Sequence, residues 1–247
     1  MTGIMTPDMG ERRTILAIDT ATSRVAVAIG NPDGTPIAEA TWPAGHRHGE
    51  TLLPAIEGLL GEGGLARSDL VGIVVGTGPG TFTGLRVGLA TAKALAHGLG
   101  IPIAGVSTGA ALLEAASEAT RAAGKPVSGK PAIGRSSPRL VLAVPAGPQD
   151  RVVVDGDAPR LVPAGTDPDL GDATLVAVDL EGRAPAEAVD RGAVALTGLG
   201  RALLRIGAAR LADGDADDLA ELVPEYVTLP RGVTRASGEV TWSRDRR

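Results

Sequence analysis

The residues best placed to do chemistry lie in one glycine-rich stretch, Val75-Gly-Thr-Gly-Pro-Gly-Thr-Phe-Thr-Gly-Leu-Arg-Val-Gly88. An apolar run precedes it and a helical pattern follows, so its backbone N–H groups could cradle an anion at a helix start. Two familiar phosphate motifs fail on spacing. A P-loop needs Gly-Lys-Ser/Thr after its first glycine, and no Lys lies between residues 68 and 92. A dinucleotide fingerprint needs a third glycine where this chain has Thr81 or Thr83. The alternative is that the glycines only allow a tight turn and close packing of helix on sheet. A second candidate is Asp19-Thr-Ala-Thr22, a carboxylate at the end of a buried strand. Asp19 could hold a cation beside phosphate oxygens, or it could cap its own turn by accepting from nearby N–H groups. The candidate ligand-binding set is Asp19, Thr20, Thr22, Gly78, Gly80, Thr81, Gly84 and Arg86.

Other chemistries find little support. The histidines are His46, His48 and His97. A spacing of two does not place His46 and His48 on one helix face for a shared metal, so they read as a solvated helix entrance. His97 falls on a polar stripe. No metal site and no catalytic residue is assigned. There is no Cys, which removes disulfides and thiolate ligands and fits a cytoplasmic chain. No Gly-x-Ser-x-Gly motif supports a Ser-His-Asp arrangement.

These groups need elements to position them. Thr14 to Thr20, Arg24 to Ile29 and Ile37 to Trp42 read as three strands of a meander, with Asn31-Pro32-Asp33-Gly34 as a turn. Thr51 to Leu60 carries apolar residues at helical spacing. Val71 to Val75 is the continuous apolar run of a strand covered on both faces. Leu85 to Leu99 is helical, Ile101 to Val106 a strand, and Ser107 the cap of a helix through about Ala119. Beyond these, Leu140 to Val144, Arg151 to Val154, Thr174 to Val178 and Ala193 to Thr197 are expected as strands. Gly198-Leu199-Gly200 then turns into a helix ending near Ala212. Both halves run from β-rich to α/β order, which suits a duplicated, two-lobed fold.

The expected organisation is a frayed extension at residues 1–13, a first lobe at 14–106 and a second lobe at 107–230. Arg121 to Arg139, rich in Gly, Pro, Ser and basic residues, is expected to be a mobile loop (121–139). Residues 231–247 form a polar tail. Hydrophobic residues make up 43% of the chain and aromatics only 2%, so Ala, Val and Leu must fill the core. No apolar run of membrane-spanning length is expected, and Met1 to Arg13 lacks the apolar centre of a secretory signal. The net charge of −5 will not grip a phosphate backbone by bulk electrostatics. If the chain serves RNA, another subunit should hold it.

The helix after the glycine-rich stretch has a wide non-charged arc. Arg86, Lys93 and His97 share one narrow stripe beside Ala90. Gly88, Ala92 and Ala96 form a ridge of small residues that lets another backbone approach closely. That backbone could be the helix at 51–60 or a second chain.

The stretch Gly-Pro-Gly-Thr-Phe-Thr-Gly-Leu-Arg-Val-Gly closely resembles the signature of the TsaB (YeaZ) family. Ile15-Leu-Ala-Ile-Asp-Thr-Ala-Thr resembles the family's opening strand and loop. His48-Gly-Glu-Thr-Leu-Leu-Pro-Ala-Ile resembles its His-Ser-Glu-x-Leu-Leu-Pro helix start, with Gly49 in place of Ser. The likeness covers about residues 14 to 115. The second half departs: Pro145-Ala-Gly-Pro-Gln-Asp-Arg stands where the family shows an Asp-Ala-Arg segment, and Pro224-Glu-Tyr matches the closing Pro-x-Tyr only loosely.

The resemblance implies an α/β, two-lobed actin-like ATPase (ASKHA) fold with mixed sheets flanked by helices. It implies a non-catalytic partner that binds and activates TsaD in threonylcarbamoylation of adenosine 37 of tRNA. The expected partners are TsaD, a TsaE-type ATPase in the larger complex and a second copy of the chain, with tRNA met only through the complex and no membrane. No intrinsic cofactor is implied, and the one place for ATP or ADP is the interface with TsaD. The implied partner surface is Leu52, Leu53, Ile56, Leu85, Gly88, Leu89, Ala92 and Ala96. ATPases of this fold usually follow the first-strand Asp with Gly, which the Asp19 loop lacks. An actin-fold ATPase or small-molecule kinase using Asp19 and the glycine-rich loop is the alternative.

Overall fold

A computed structural model describes residues 12–45, 48–124, 139–156, 158–166, 168 and 170–226. The expectations for residues 1–11, for 125–138 within the loop and for the tail lie outside the described residues, as does His46.

The first sheet holds β1 (Thr14–Asp19), β2 (Arg24–Gly30), β3 (Pro36–Pro43), β4 (Leu70–Gly76) and β5 (Ile103–Val106), in the order β3-β2-β1-β4-β5. The meander β1-β2-β3 is antiparallel, and β4 joins β1 in parallel through α1 (His48–Glu62). The connection from β4 to β5 is α2 (Phe82–Leu99), and α3 (Thr108–Ala123) follows β5. Ser107 caps α3, its hydroxyl accepting from Ala110 N at 3.3 Å. The second sheet repeats the plan with β6 (Leu140–Pro145), β7 (Arg151–Asp155), β8 (Ala158–Val162) and β9 (Thr174–Ala177), in the order β8-β7-β6-β9. Its pairings have the same senses, two antiparallel and one parallel. The duplication expected from the order of elements is therefore present in strand topology. Two mixed sheets flanked by helices make the α/β, actin-like architecture.

Alternation along β1 decides which helices each face receives. Leu16 and Ile18 join Val25, Val27 and Ile29 in a core with α1 and α2. Ile15, Ala17, Ala26 and Ala28 face the other way, into a core shared with α3, the second sheet and α4 (Ala186–Ala212). Small residues on that face let α4 come close. A β-carbon at Gly72 would lie 2.7 Å from Leu211 Cδ1, and one at Gly207 would collide with the Val74 side chain.

α4 corrects two expectations. Residues 193–197 are helix, not strand, and Gly198-Leu199-Gly200 is not a turn. These glycines are packing contacts: Gly198 meets Ala115, Gly200 meets Ala28, and Gly192 lies against the Ala177 carbonyl. A helix wedged between two sheets needs such thin points, and glycine there resembles a turn signal in sequence. Contrary to the expectation about spanning runs, α4 is also long and apolar enough to cross a membrane by length and composition. Of its most apolar window 61% is buried inside the fold, which makes it the core helix between the sheets.

After α4 the chain returns across the first lobe. Asp217 N donates to Ile103 O at 2.8 Å and Asp217 Oδ2 accepts from Gly105 N at 2.6 Å, so Asp217 of the segment 213–226 pairs with the free edge of β5. Arg210 fixes Asp217 from α4 at 3.0 Å. Leu222 inserts into the α1–α2 core with Leu219 beside it. No apolar periodicity announces this strap in the sequence.

Candidate functional site

The glycine-rich loop and the Asp19 loop form one unit. Asp19 ends β1 fully buried. Its Oδ1 accepts from Ala21 N at 2.8 Å and its Oδ2 accepts from the Thr108 hydroxyl at 2.6 Å. Thr108 Oγ1 in turn accepts from Gly78 N at 3.1 Å, which ties the first turn of α3 to the glycine-rich loop. Burial raises the Asp19 carboxyl to about 6 against the opposing effect of its two donors. The capping role is therefore the one this geometry provides, with Thr108 as a second donor that the sequence reading missed. Thr108 lies next to a recognisable helix cap, and that is the only local signal for it.

The glycines serve the contact between the two loops. A β-carbon at Gly84 would overlap the Thr20 carbonyl, and one at Gly80 would overlap that of Ala21. One at Gly76 would overlap the Asp19 carboxylate. Thr81 N donates to Ala21 O at 2.7 Å, and the Thr20 hydroxyl donates to Gly84 O at 2.6 Å. Thr22 is buried and its hydroxyl donates to Arg24 O at 3.0 Å. The two loops are thus packed directly against each other.

Arg86 stands apart from that cluster. It is exposed one turn into α2, its guanidinium carbon 3.7 Å above the Phe82 ring. Its Nε donates to the Tyr226 hydroxyl at 3.0 Å, and the two rings lie 5.1 Å apart. The strap delivers Tyr226: Glu225 N donates to Thr77 O at 2.7 Å, and Lys93 Nζ donates to Leu222 O at 3.1 Å. Phe82 and Tyr226 are the only phenylalanine and tyrosine in the chain. Neither was singled out as functional from sequence, although both sit in motif segments.

The expected partner surface is mostly internal. Leu52, Ile56, Leu85, Leu89, Ala92 and Ala96 are buried in this chain. Gly88 faces Thr20, where a β-carbon would strike the hydroxyl. The ridge Gly88-Ala92-Ala96 thus faces its own lobe. Only Leu53, 46% exposed, remains open. The open face of α2 is one step round the helix: at 100° per residue, Thr83, Val87, Ala90, Ala94 and Gly98 share an arc of roughly 80°. Ala90, Ala94 and Gly98 are exposed, as are Pro54, Glu57, Gly58 and Gly61 on α1.

Residues 43–157 match the family model TsaD, tRNA N6-adenosine threonylcarbamoyltransferase. A protein of Bacillus subtilis named tRNA threonylcarbamoyladenosine biosynthesis protein TsaB is 43% identical over 95 residues, 38% of this chain and 41% of that protein. The protein of the same name from Escherichia coli is 42% identical over 94 residues, 38% of this chain and 40% of that protein. The matches therefore span about two fifths of those relatives. In this region the chain is similar to TsaB (YeaZ) proteins. YeaZ from Pseudomonas aeruginosa shares the fold, with a TM-score of 0.62 at 24% identity over 87% of this chain and 99% of that one. The motif glycines are accounted for by loop-to-loop packing. Among the described residues no group of three His, Cys, Asp or Glu could hold a metal.

Proposed function

We propose that this chain is a subunit of tRNA threonylcarbamoyladenosine synthesis that binds and activates TsaD and performs no chemistry of its own. The observation that carries the proposal is a set of helical glycines that nothing among the described residues requires. Gly58 and Gly61 of α1 and Gly98 of α2 each have open space where a β-carbon would stand. Glycine inside a helix costs roughly 0.5–1 kcal/mol relative to alanine. At Gly84 or Gly207 that cost is offset by close packing within the chain. At Gly58, Gly61 and Gly98 no described residue offsets it, and another backbone packed there would. α1 and α2 touch and share one sheet face, so these positions belong to one helical surface with Ala90, Ala94 and Leu53.

This surface replaces the buried ridge as the binding face for TsaD, and for a second copy when TsaD is absent. tRNA and a TsaE-type ATPase meet the chain through that complex, and ATP or ADP belongs to the interface with TsaD. The kinase-like alternative loses support from the sealed Asp19 loop. The test is co-purification of full-length Ala94→Arg with TsaD from the same source. The variant is expected to fold and to lose both TsaD and self-association. A folded Ala94→Arg that binds TsaD like the parent overturns the proposal.

A further inference from the structure

We infer that Arg86, oriented by Phe82 and Tyr226, is the polar anchor of the partner surface and takes a carboxylate side chain of the partner protein. The inference rests on the proposed role of α1 and α2 and specifies what that face recognises.

The geometry is that of a preset fork. An exposed arginine ordinarily samples many rotamers, and a free guanidinium loses that freedom on binding. Here the plane is held over the Phe82 ring at 3.7 Å, and Nε is held by the Tyr226 oxygen at 3.0 Å. Among the described residues the two terminal nitrogens have no hydrogen-bond acceptor and no ion-pair partner. They form the edge that a carboxylate meets bidentately. The chain commits its only Phe and its only Tyr to this one side chain, outside its core.

Position ties the fork to the partner face. Arg86 and Ala90 are four residues apart on α2, hence neighbours on one face, and both are exposed. Beside the fork the strap presents Tyr226, 42% exposed, and Val223, 65% exposed. An arginine and an aromatic ring beside apolar surface is the composition found at the energetic centres of protein interfaces. A nucleotide phosphate is a poorer fit, because the adjacent loop is packed against Thr20 and Ala21. An RNA backbone is poorer still. It calls for several cations together, while neighbouring Lys93 is committed to Leu222 O and the chain carries a net charge of −5.

The test measures TsaD affinity of full-length variants at low and high salt, with thermal melts to confirm folding. Arg86→Leu is expected to melt like the parent, to bind TsaD about 10- to 100-fold more weakly and to lose much of the parent's salt dependence. Arg86→Lys restores little, because a point charge lacks the fork. Tyr226→Phe keeps the ring, removes the acceptor for Nε and weakens binding several-fold. If Arg86→Leu matches the parent in affinity and salt dependence while Ala94→Arg fails to bind, the partner face stands and the anchor is wrong. If Ala94→Arg also binds normally, the partner face itself is wrong and the anchor falls with it. If Arg86→Leu keeps TsaD but loses inorganic phosphate or tRNA, the fork serves a phosphate and the inference is overturned.

Discussion

Asp179 of the second lobe holds Ser23 of the first with both carboxylate oxygens. Oδ2 accepts from Ser23 N at 2.7 Å and Oδ1 accepts from the Ser23 hydroxyl. Asp179 does this in the left-handed region, with φ of 57°, the only non-glycine there among the described residues. Arg183 braces it by donating to the Asp179 carbonyl at 3.1 Å while also reaching the carbonyls of Gly147 and Pro148. The loop after β1 is thus clasped to the loop after β9.

The clasp sets a first expectation. Asp179→Ala removes both bonds and leaves a β-carbon in a disfavoured conformation, so it should cost about 1–3 kcal/mol in urea denaturation. Asp179→Gly loses the bonds but not the backbone conformation, and should be less harmful. Ser23→Ala, which keeps the backbone donor, should cost least. Equal stability of all three with the parent would show that the clasp contributes nothing.

Asp19 gives a pH dependence with a definite sign. Its folded carboxyl sits at about 6, above its ordinary 3.8. Folding therefore favours the protonated form, and the contribution to stability is fully present below about pH 4 and lost as pH rises through about 6. A gap of about two units corresponds to roughly 3 kcal/mol. Glu114, held low by its hydrogen bond to Arg205, acts in the opposite sense, so the quantity to measure is a difference. Stability of Asp19→Asn minus that of the parent should climb by roughly 3 kcal/mol from about pH 4 to about pH 7. A flat difference would mean that the buried carboxylate is solvated as well as a free one.

Two glycines should respond oppositely to the same change. Gly84→Ala drives a β-carbon into the Thr20 carbonyl and should cost about 1–3 kcal/mol or more. Gly58→Ala meets open space and should raise stability by about 0.5–1 kcal/mol in the free chain, while weakening TsaD binding. Thermal melts of the two variants, with a binding measurement on the second, check both halves.

Much of the first lobe was legible because its signals are local. Alternation in β1 and β2, the Asn31–Gly34 turn and the Ser107 cap each need only a few neighbouring residues. What was lost depended on distant contacts. Thr108 completes the shell of Asp19 from 89 positions away, and Tyr226 reaches Arg86 from 140 away. Glycine misled in both directions. In α4 it marks close packing yet looked like a turn, and on α2 the small residues at 88, 92 and 96 looked open yet face their own lobe. Composition gives the size of a residue but not which of two surfaces it meets.

The isolated chain should hydrolyse ATP far more slowly than a working enzyme, whose turnover is about 1 per second or more. The reason is the direct packing of the Asp19 loop against the glycine-rich loop. Turnover at that level, abolished in Asp19→Ala, would reinstate the kinase-like reading.

Ala92 and Ala94 are two residues apart on α2 and face opposite ways, which makes them a paired test of the corrected surface. Ala92 is 0% exposed, in one core with Leu52, Ile56, Leu59 and Leu60. Ala92→Arg must place a long charged side chain among these apolar residues, or pry α2 away from the core beneath it. Desolvating an unpaired charge costs several kcal/mol, a large share of the roughly 5–15 kcal/mol that holds a domain together. The variant should therefore be largely unfolded or insoluble as a single chain, by circular dichroism and by size-exclusion chromatography. Ala94→Arg extends from an exposed position into solvent, keeps good helix propensity and should melt within a few degrees of the parent. A well-folded Ala92→Arg would mean that α2 is seated with its other side on the sheet, returning the Gly88-Ala92-Ala96 ridge to the partner.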